Sequence, residues 1–216
     1  GDVLELAWVS CTGGLDLSST RDLTAFALCF QLPDGTDAYL WFFWMPEDNV
    51  ADRVKNDRVP YDLWINQGFI KTTPGNVTDY DFIQADIMQL KAKYDIEAIA
   101  FDRWNSSQLV INLMSEGVNM VPFGQGYGSM SAPTKEFERT IFTRKMNHMG
   151  NPVMRWMISN VEIQRDPAGN IKIDKAKASE KVDGPVAAVM AKGQQMTPND
   201  NIDINKIYAE RGIRTL

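Results

Sequence analysis

Two cysteines, Cys11 and Cys29, and one histidine, His148, are all the thiols and imidazoles that 216 residues offer to a metal. No paired Cys/His spacing exists, so a structural zinc site is excluded, and one imidazole cannot found a histidine-rich centre. The thiols read as reduced core residues, although a hairpin turning near Thr20 could also bring them face to face. Apolar runs are short, and none approaches the ~20 residues that a bilayer span requires, so no membrane partner is expected. The opening residues, Gly1-Asp2-Val3-Leu4-Glu5, hold no basic stretch, and a secretory leader is not expected either. There is no internal repeat and no low-complexity tract. Positive charge is also scarce: 22 Lys and Arg stand against 28 Asp and Glu, a formal net charge of −6. Nucleic-acid binders usually carry a basic footprint. Its absence counts against that class but does not exclude a site built on carboxylates, where bound cations reverse the local sign.

What is present suits a globular domain. Hydrophobic residues make up 44% and charged residues 23% of a chain long enough to bury one full core. Trp8 to Leu17 and Leu23 to Phe30 read as strands joined by a turn at Ser18–Asp22, and Pro33-Asp34-Gly35-Thr36 turns into an aromatic strand from Ala38 to Trp44. Ala51 to Gln67 is partly helical in pattern. Thr78 or Asp79 caps a helix from about Tyr80 to Tyr94, with Phe82, Ile83, Ile87 and Leu90 on its apolar side. Ile96 to Phe101 and Val118 to Phe123 have the short, continuous apolar form of buried parallel strands. Between them lies a helix capped by Asn105 or Ser106. Gly124 to Gly128 reads as a loop, and Thr134 to His148 and Val153 to Asn160 read as helices. A hairpin turns around Asp166–Asn170, and a last helix opens near Asp183-Gly184-Pro185 and runs to about Lys192. Residues 1–195 therefore read as one domain, and 196–216 as a polar C-terminal tail. A three-strand meander followed by alternating helices and buried strands predicts an α/β fold, a mixed sheet flanked by helices on both faces. That order matches the ribonuclease-H-like plan and is compatible with other α/β folds.

Three aspartates stand where chemistry is expected. Asp16 leaves the first strand in Gly13-Gly14-Leu15-Asp16-Leu17-Ser18, and Asp102 leaves a buried strand in Ile99-Ala100-Phe101-Asp102. The carboxyl edge of such a sheet is where open α/β folds bind ligands. Asp183 opens the last helix in Lys181-Val182-Asp183-Gly184-Pro185. Each has an ordinary alternative: Asp16 could bind turn amides, and Asp183, two residues before a helical proline, could be an N-cap. Convergence of all three would change the reading, because three carboxylates in one cleft cannot all stay ionised without cations. Oxygen ligands with almost no histidine suit Mg²⁺ or Mn²⁺, and two such ions ~4 Å apart would activate water against a phosphodiester.

The segments GLDLSSTRDLTA, AIAFDRWN and KASEKVDGPVAAVMA, in this order and spacing, resemble the nuclease domain of phage terminase large subunits over about residues 8 to 195. The last segment is the most diagnostic. The resemblance implies a metal-dependent endonuclease that cuts concatemeric viral double-stranded DNA at packaging. Asp16, Asp102 and Asp183 would be the catalytic residues and the ligands of two divalent metal ions, Mg²⁺ or Mn²⁺. It also implies an N-terminal packaging ATPase, a terminase small subunit and a portal as partners, in the bacterial host cytoplasm. No Gly-x-x-x-x-Gly-Lys-[Ser/Thr] phosphate loop occurs, and Gly124-Gln125-Gly126-Tyr127-Gly128 lacks the lysine. Together with a chain that opens on Gly1, this is what a nuclease domain without its motor would look like.

Lys172, Lys175, Lys177, Lys181 and Arg103 are the candidate DNA contacts, with a solvated hairpin edge as the alternative for the lysines. Asp22, Asp79, Asp81 and Asp86 read as turn, cap and solvent-face residues, and His148 as a surface residue late in a helix. Other nucleases of the same fold, such as junction resolvases or transposases, would share the carboxylates. An actin-like nucleotide-binding module or a non-catalytic docking module are the readings from other classes.

Overall fold

The computed structural model describes residues 6–7, 9–17, 23–102 and 108–197. Three antiparallel strands come first: β1 (Cys11–Asp16), β2 (Thr24–Gln31) and β3 (Asp37–Pro46). Then follow α1 (Val50–Asp57), α2 (Tyr61–Asn66), the short edge strand β4 (Lys71–Thr73), α3 (Tyr80–Lys93), β5 (Ile96–Asp102), α4 (Gln108–Ser115) and β6 (Met120–Phe123). The last third holds α5 (Tyr127–Phe142), β7 (Met146–Asn147), α6 (Pro152–Ser159), the hairpin β8 (Ile163–Arg165) and β9 (Ile171–Ile173), and α7 (Asp183–Met196). The main sheet has the order β4-β3-β2-β1-β5-β6, with β7 alongside β3. β1 pairs antiparallel with β2 and parallel with β5, and β5 pairs parallel with β6. This is the ribonuclease-H-like mixed sheet that the element order predicted. Among the described residues no helix is long and apolar enough to cross a membrane.

Strand alternation divides the core into two layers. Ala25, Ala27 and Cys29 of β2 face α5, α6 and α7, where Met130, Phe137, Met154, Met157 and Ala187 are buried. Phe26, Leu28 and Phe30 face α3 and α4, against Ile83, Ile87, Leu109 and Leu113. Burying each such side chain contributes roughly 1.5–3 kcal/mol. β1 is buried along its whole length because both faces and both edges are covered. Cys11 and Cys29 belong to opposite layers and are free thiols, and burial pushes Cys29 up to about 12.

Four local expectations are corrected. The helix expected from Thr134 to His148 begins seven residues earlier, at Tyr127, and ends at Phe142. Pro133 lies inside it, and the burial of Met130 and Phe137 outweighs the backbone bond that proline gives up. His148 consequently follows β7 in a turn and is not a helical surface residue. Asp86 is not on a solvent face. It is buried, accepting from Trp44 Nε1 at 2.7 Å and pairing with Lys71 Nζ at 2.9 Å. Phe82, expected on the apolar side of α3, is 37% exposed. The cap of that helix is Asp79, whose carboxylate accepts from the amides of Asp81 and Phe82 at 3.0 and 3.1 Å. The turn at Ser18–Asp22 and the caps proposed at Asn105 or Ser106 lie outside the described residues, as does the chain beyond Thr197. α7 itself continues past Lys192 to Met196.

Candidate active site

Asp16 is the last residue of β1 and is 1% exposed. Asp102 is the last residue of β5 and is partly buried. The parallel register pairs Leu15 with Phe101, so the next position on each strand brings Asp16 and Asp102 to the same carboxyl edge as neighbours. The adjacency follows from the pairing of β1 with β5.

Asp183 arrives from the far end of the chain, on the helix packed across β1 and β2. Thr12 Oγ1 donates to the Ala191 carbonyl at 2.8 Å, and Gly14 lies directly against Ala187. Two residues of strand span ~6.6 Å and four residues of helix ~6 Å, so the two elements keep step in opposite directions. The next step from Gly14 and Ala187 brings Asp16 to Asp183. Close approach is possible because β1 offers glycine and the buried face of α7 offers Gly184, Ala187, Ala188 and Ala191. Trp41 Nε1 donates to the Gly184 carbonyl at 3.2 Å and secures the start of the helix. The N-cap of α7 is Val182, whose side chain makes no capping bond. Asp183 is therefore the first helical residue, and the N-cap alternative for it does not hold.

A lysine is bonded to the innermost of the three aspartates. Lys175 Nζ donates to both oxygens of Asp16, at 2.9 and 2.7 Å. Burial by itself would pull this ammonium down, but Asp16, and behind it Asp183 and Asp102, hold it above the ordinary lysine value. Among the described residues no three Asp, Glu, His or Cys side chains gather tightly enough to cage an ion in this arrangement. The cation in contact with Asp16 is Lys175. Its backbone is fixed by Asp174, a buried carboxylate that accepts from the amides of Ala176 and Lys177 at 3.1 and 3.2 Å.

The other predicted lysines border the same place. Lys172, Lys175 and Lys177 line a cleft of about 540 Å³ with Asp102 and Gln125, and Lys175 and Lys181 line a second of about 340 Å³ with Asp183. Lys172 Nζ lies 5.4 Å from the centre of the Tyr127 ring. Gln125, from the glycine-rich segment, is part of the first cleft, whereas Tyr127 and Gly128 already belong to α5. Arg103 lies outside the described residues.

Residues 5–198 match the family described as the terminase large subunit, endonuclease domain. The chain belongs to this family. The terminase large subunit of Enterobacteria phage HK97 is 37% identical over 182 residues, covering 83% of this chain and 36% of that protein. Protein YmfN of Escherichia coli K12 is 29% identical over 216 residues, covering 95% of this chain and 48% of that protein. The nuclease domain thus spans between about a third and a half of the relatives it matches. The crystal structure of the HK97 large terminase superposes with a TM-score of 0.81 at 36% identity, over 86% of this chain and 39% of that one. The large terminase nuclease of thermophilic phage G20c, at 13% identity and TM-score 0.58 over 87% of this chain and 83% of that one, shares the fold.

Several parts of this nuclease domain escape sequence reasoning. Trp41 reads as core, and its bond to Gly184 has no local signature. Asp174 sits between the hairpin and the lysines, where a carboxylate looks like one more surface charge. Lys175 reads as a phosphate contact, and its pairing with Asp16 is visible only in the folded chain.

Proposed function

We propose that this domain cuts concatemeric viral double-stranded DNA during genome packaging by two-metal-ion hydrolysis, with Asp16, Asp102 and Asp183 as the metal ligands. The observation that carries the reading is the placement of Asp16 and Asp102 at the ends of neighbouring parallel strands, with Lys175 bonded to Asp16 and held above its ordinary value by the charges of Asp183 and Asp102 as well. An all-oxygen donor set suits hard divalent ions, and an ammonium already takes the place of positive charge there. Solved structures of the G20c nuclease contain magnesium in one case and cobalt in another, which agrees with that donor chemistry.

Bound Mg²⁺ or Mn²⁺ would supply an activated water and neutralise charge on the phosphate. The chain's own residues do the rest. Asp16, innermost and on the central strand, is assigned to both ions, and Asp102 and Asp183 to one each. Lys172, Lys177 and Lys181 steer the phosphate backbone along the two clefts, with Arg103 as a further candidate. Backbone contacts carry no sequence information, so cutting is expected to be sequence-tolerant. In the full protein an N-terminal packaging ATPase would hold the DNA, with the small subunit and portal as partners in the host cytoplasm.

The test is digestion of plasmid DNA at low salt with Mg²⁺, Mn²⁺ or chelator, for wild type and Asp16→Asn. Metal-dependent cutting that disappears in the variant is expected. Inactivity of well-folded wild type with both metals, or undiminished cutting by Asp16→Asn, would overturn the assignment.

A further inference from the structure

We infer that Lys175 is a resident counter-cation of the carboxylate site, which the divalent ions displace and which then turns toward the DNA cleft. The inference rests on the metal reading above and adds an exchange that this reading does not require.

Both oxygens of Asp16 are engaged by the one ammonium, at 2.9 and 2.7 Å, while the side chain of Asp16 is 1% exposed. A carboxylate this deep has almost no water to stabilise its charge, so Lys175 supplies what solvent cannot. An oxygen that accepts from an ammonium at contact distance is a weaker ligand for a divalent cation, because the two positive charges repel across the shared carboxylate. Loading and the Asp16–Lys175 pair therefore compete.

The surroundings allow the exchange. The Lys175 side chain is 45% exposed, so much of its arm borders solvent although its ammonium and its partner are enclosed. Its backbone is held by the amide bonds to Asp174 on one side of the turn, leaving the four-carbon arm as the moving part. Lys175 borders both the cleft with Asp102 and the cleft with Asp183, and a rotation away from Asp16 keeps it in one of them. Charge balance points the same way. Three carboxylates with one lysine leave an excess of negative charge that repels DNA, whereas two divalent ions reverse it and make a displaced lysine useful beside phosphate. Metal loading and phosphate attraction are then coupled through one side chain.

The experiment is calorimetric titration of DNA-free, chelator-stripped protein with Mn²⁺, using wild type, Lys175→Met, Lys175→Gln, Lys175→Arg and Asp16→Asn. Removing the competing charge should tighten Mn²⁺ binding roughly tenfold in the Met and Gln variants, an ordinary scale for coupling between two sites. Lys175→Arg, which keeps the charge, should stay near wild type. Thermal melts give a second reading: Lys175→Met should melt below wild type without metal, and Mn²⁺ should raise its midpoint by more than it raises that of wild type. A purely structural lysine would lower the midpoint equally with and without metal and leave affinity unchanged. Equal or weaker Mn²⁺ binding by the neutral variants, with binding lost in Asp16→Asn, overturns the exchange and leaves the metal reading standing. Absence of Mn²⁺ binding in every protein, wild type included, overturns both.

Discussion

A Cβ placed on Gly14 would stand 1.9 Å from the carbonyl oxygen of Ala187, with the Ala191 amide nitrogen at 2.7 Å. The helix that carries Asp183 is thus seated directly on the backbone of the strand that carries Asp16. Gly14→Ala is expected to lift α7, because both obstructing atoms are backbone and cannot rotate away. Overpacking of this kind costs about 1–3 kcal/mol and sometimes more. Urea unfolding should show that loss, and plasmid cutting should fall further than stability alone explains. Wild-type stability together with wild-type cutting would mean that the seat of α7 does not set the site.

Asp183→Ala separates a metal ligand from a helix cap. Loss of a true N-cap costs typically ~1 kcal/mol. Asp183 is the first helical residue and not the N-cap, so the variant should unfold within about 0.5 kcal/mol of wild type, the favourable helix-dipole contribution being offset by relief of carboxylate repulsion. Cleavage should nevertheless be lost. Strong destabilisation with cutting retained would return Asp183 to a structural role.

At the opposite end of α7, Lys192 and Asp37 form a pair at 2.7 Å with side chains 4% and 2% exposed. Breaking a pair this deep leaves a buried charge alone, and Lys192→Met should cost about 3–5 kcal/mol in denaturant unfolding. Replacing both residues, by Lys192→Met with Asp37→Leu, should recover most of the loss. A single variant as stable as wild type would show that the pair contributes nothing to holding the helix.

Lys177 and Lys181 border the clefts on the Asp102 and Asp183 sides. With a net charge of −6, bulk attraction to DNA is poor, and these local charges should govern what binding there is. Lys177→Ala with Lys181→Ala should weaken DNA binding and flatten its dependence on log salt by roughly one unit for each phosphate no longer neutralised. Mn²⁺ affinity should be untouched. An unchanged salt slope would remove both residues from the DNA path.

The meander, the buried strands and α3 are legible because their signals are local: turn residues at Pro33–Thr36, apolar runs at Ile96–Phe101, a cap at Asp79. The start of α5 is not, because Gly126, Gly128 and Pro133 speak for a loop, and only the packing of Met130 and Phe137 decides otherwise. β4, three residues at a sheet edge, is too short for any period to show. Asp86 shares its residue type with exposed neighbours, and nothing near it in sequence announces Trp44 or Lys71.

The same division runs through the site. Residue types alone determined that any metal here must meet oxygen, because the chain has little else to give, and the strand-end positions of Asp16 and Asp102 follow from apolar runs that stop there. Those are near-neighbour properties, and a linear chain displays them. That Asp183 is the first helical residue and not the N-cap, and that Lys175 holds Asp16, was decided only in three dimensions. Both depend on α7 and the Asp174 turn packing against a strand from the opposite end of the chain, through a glycine–alanine contact and buried polar bonds that no local pattern encodes.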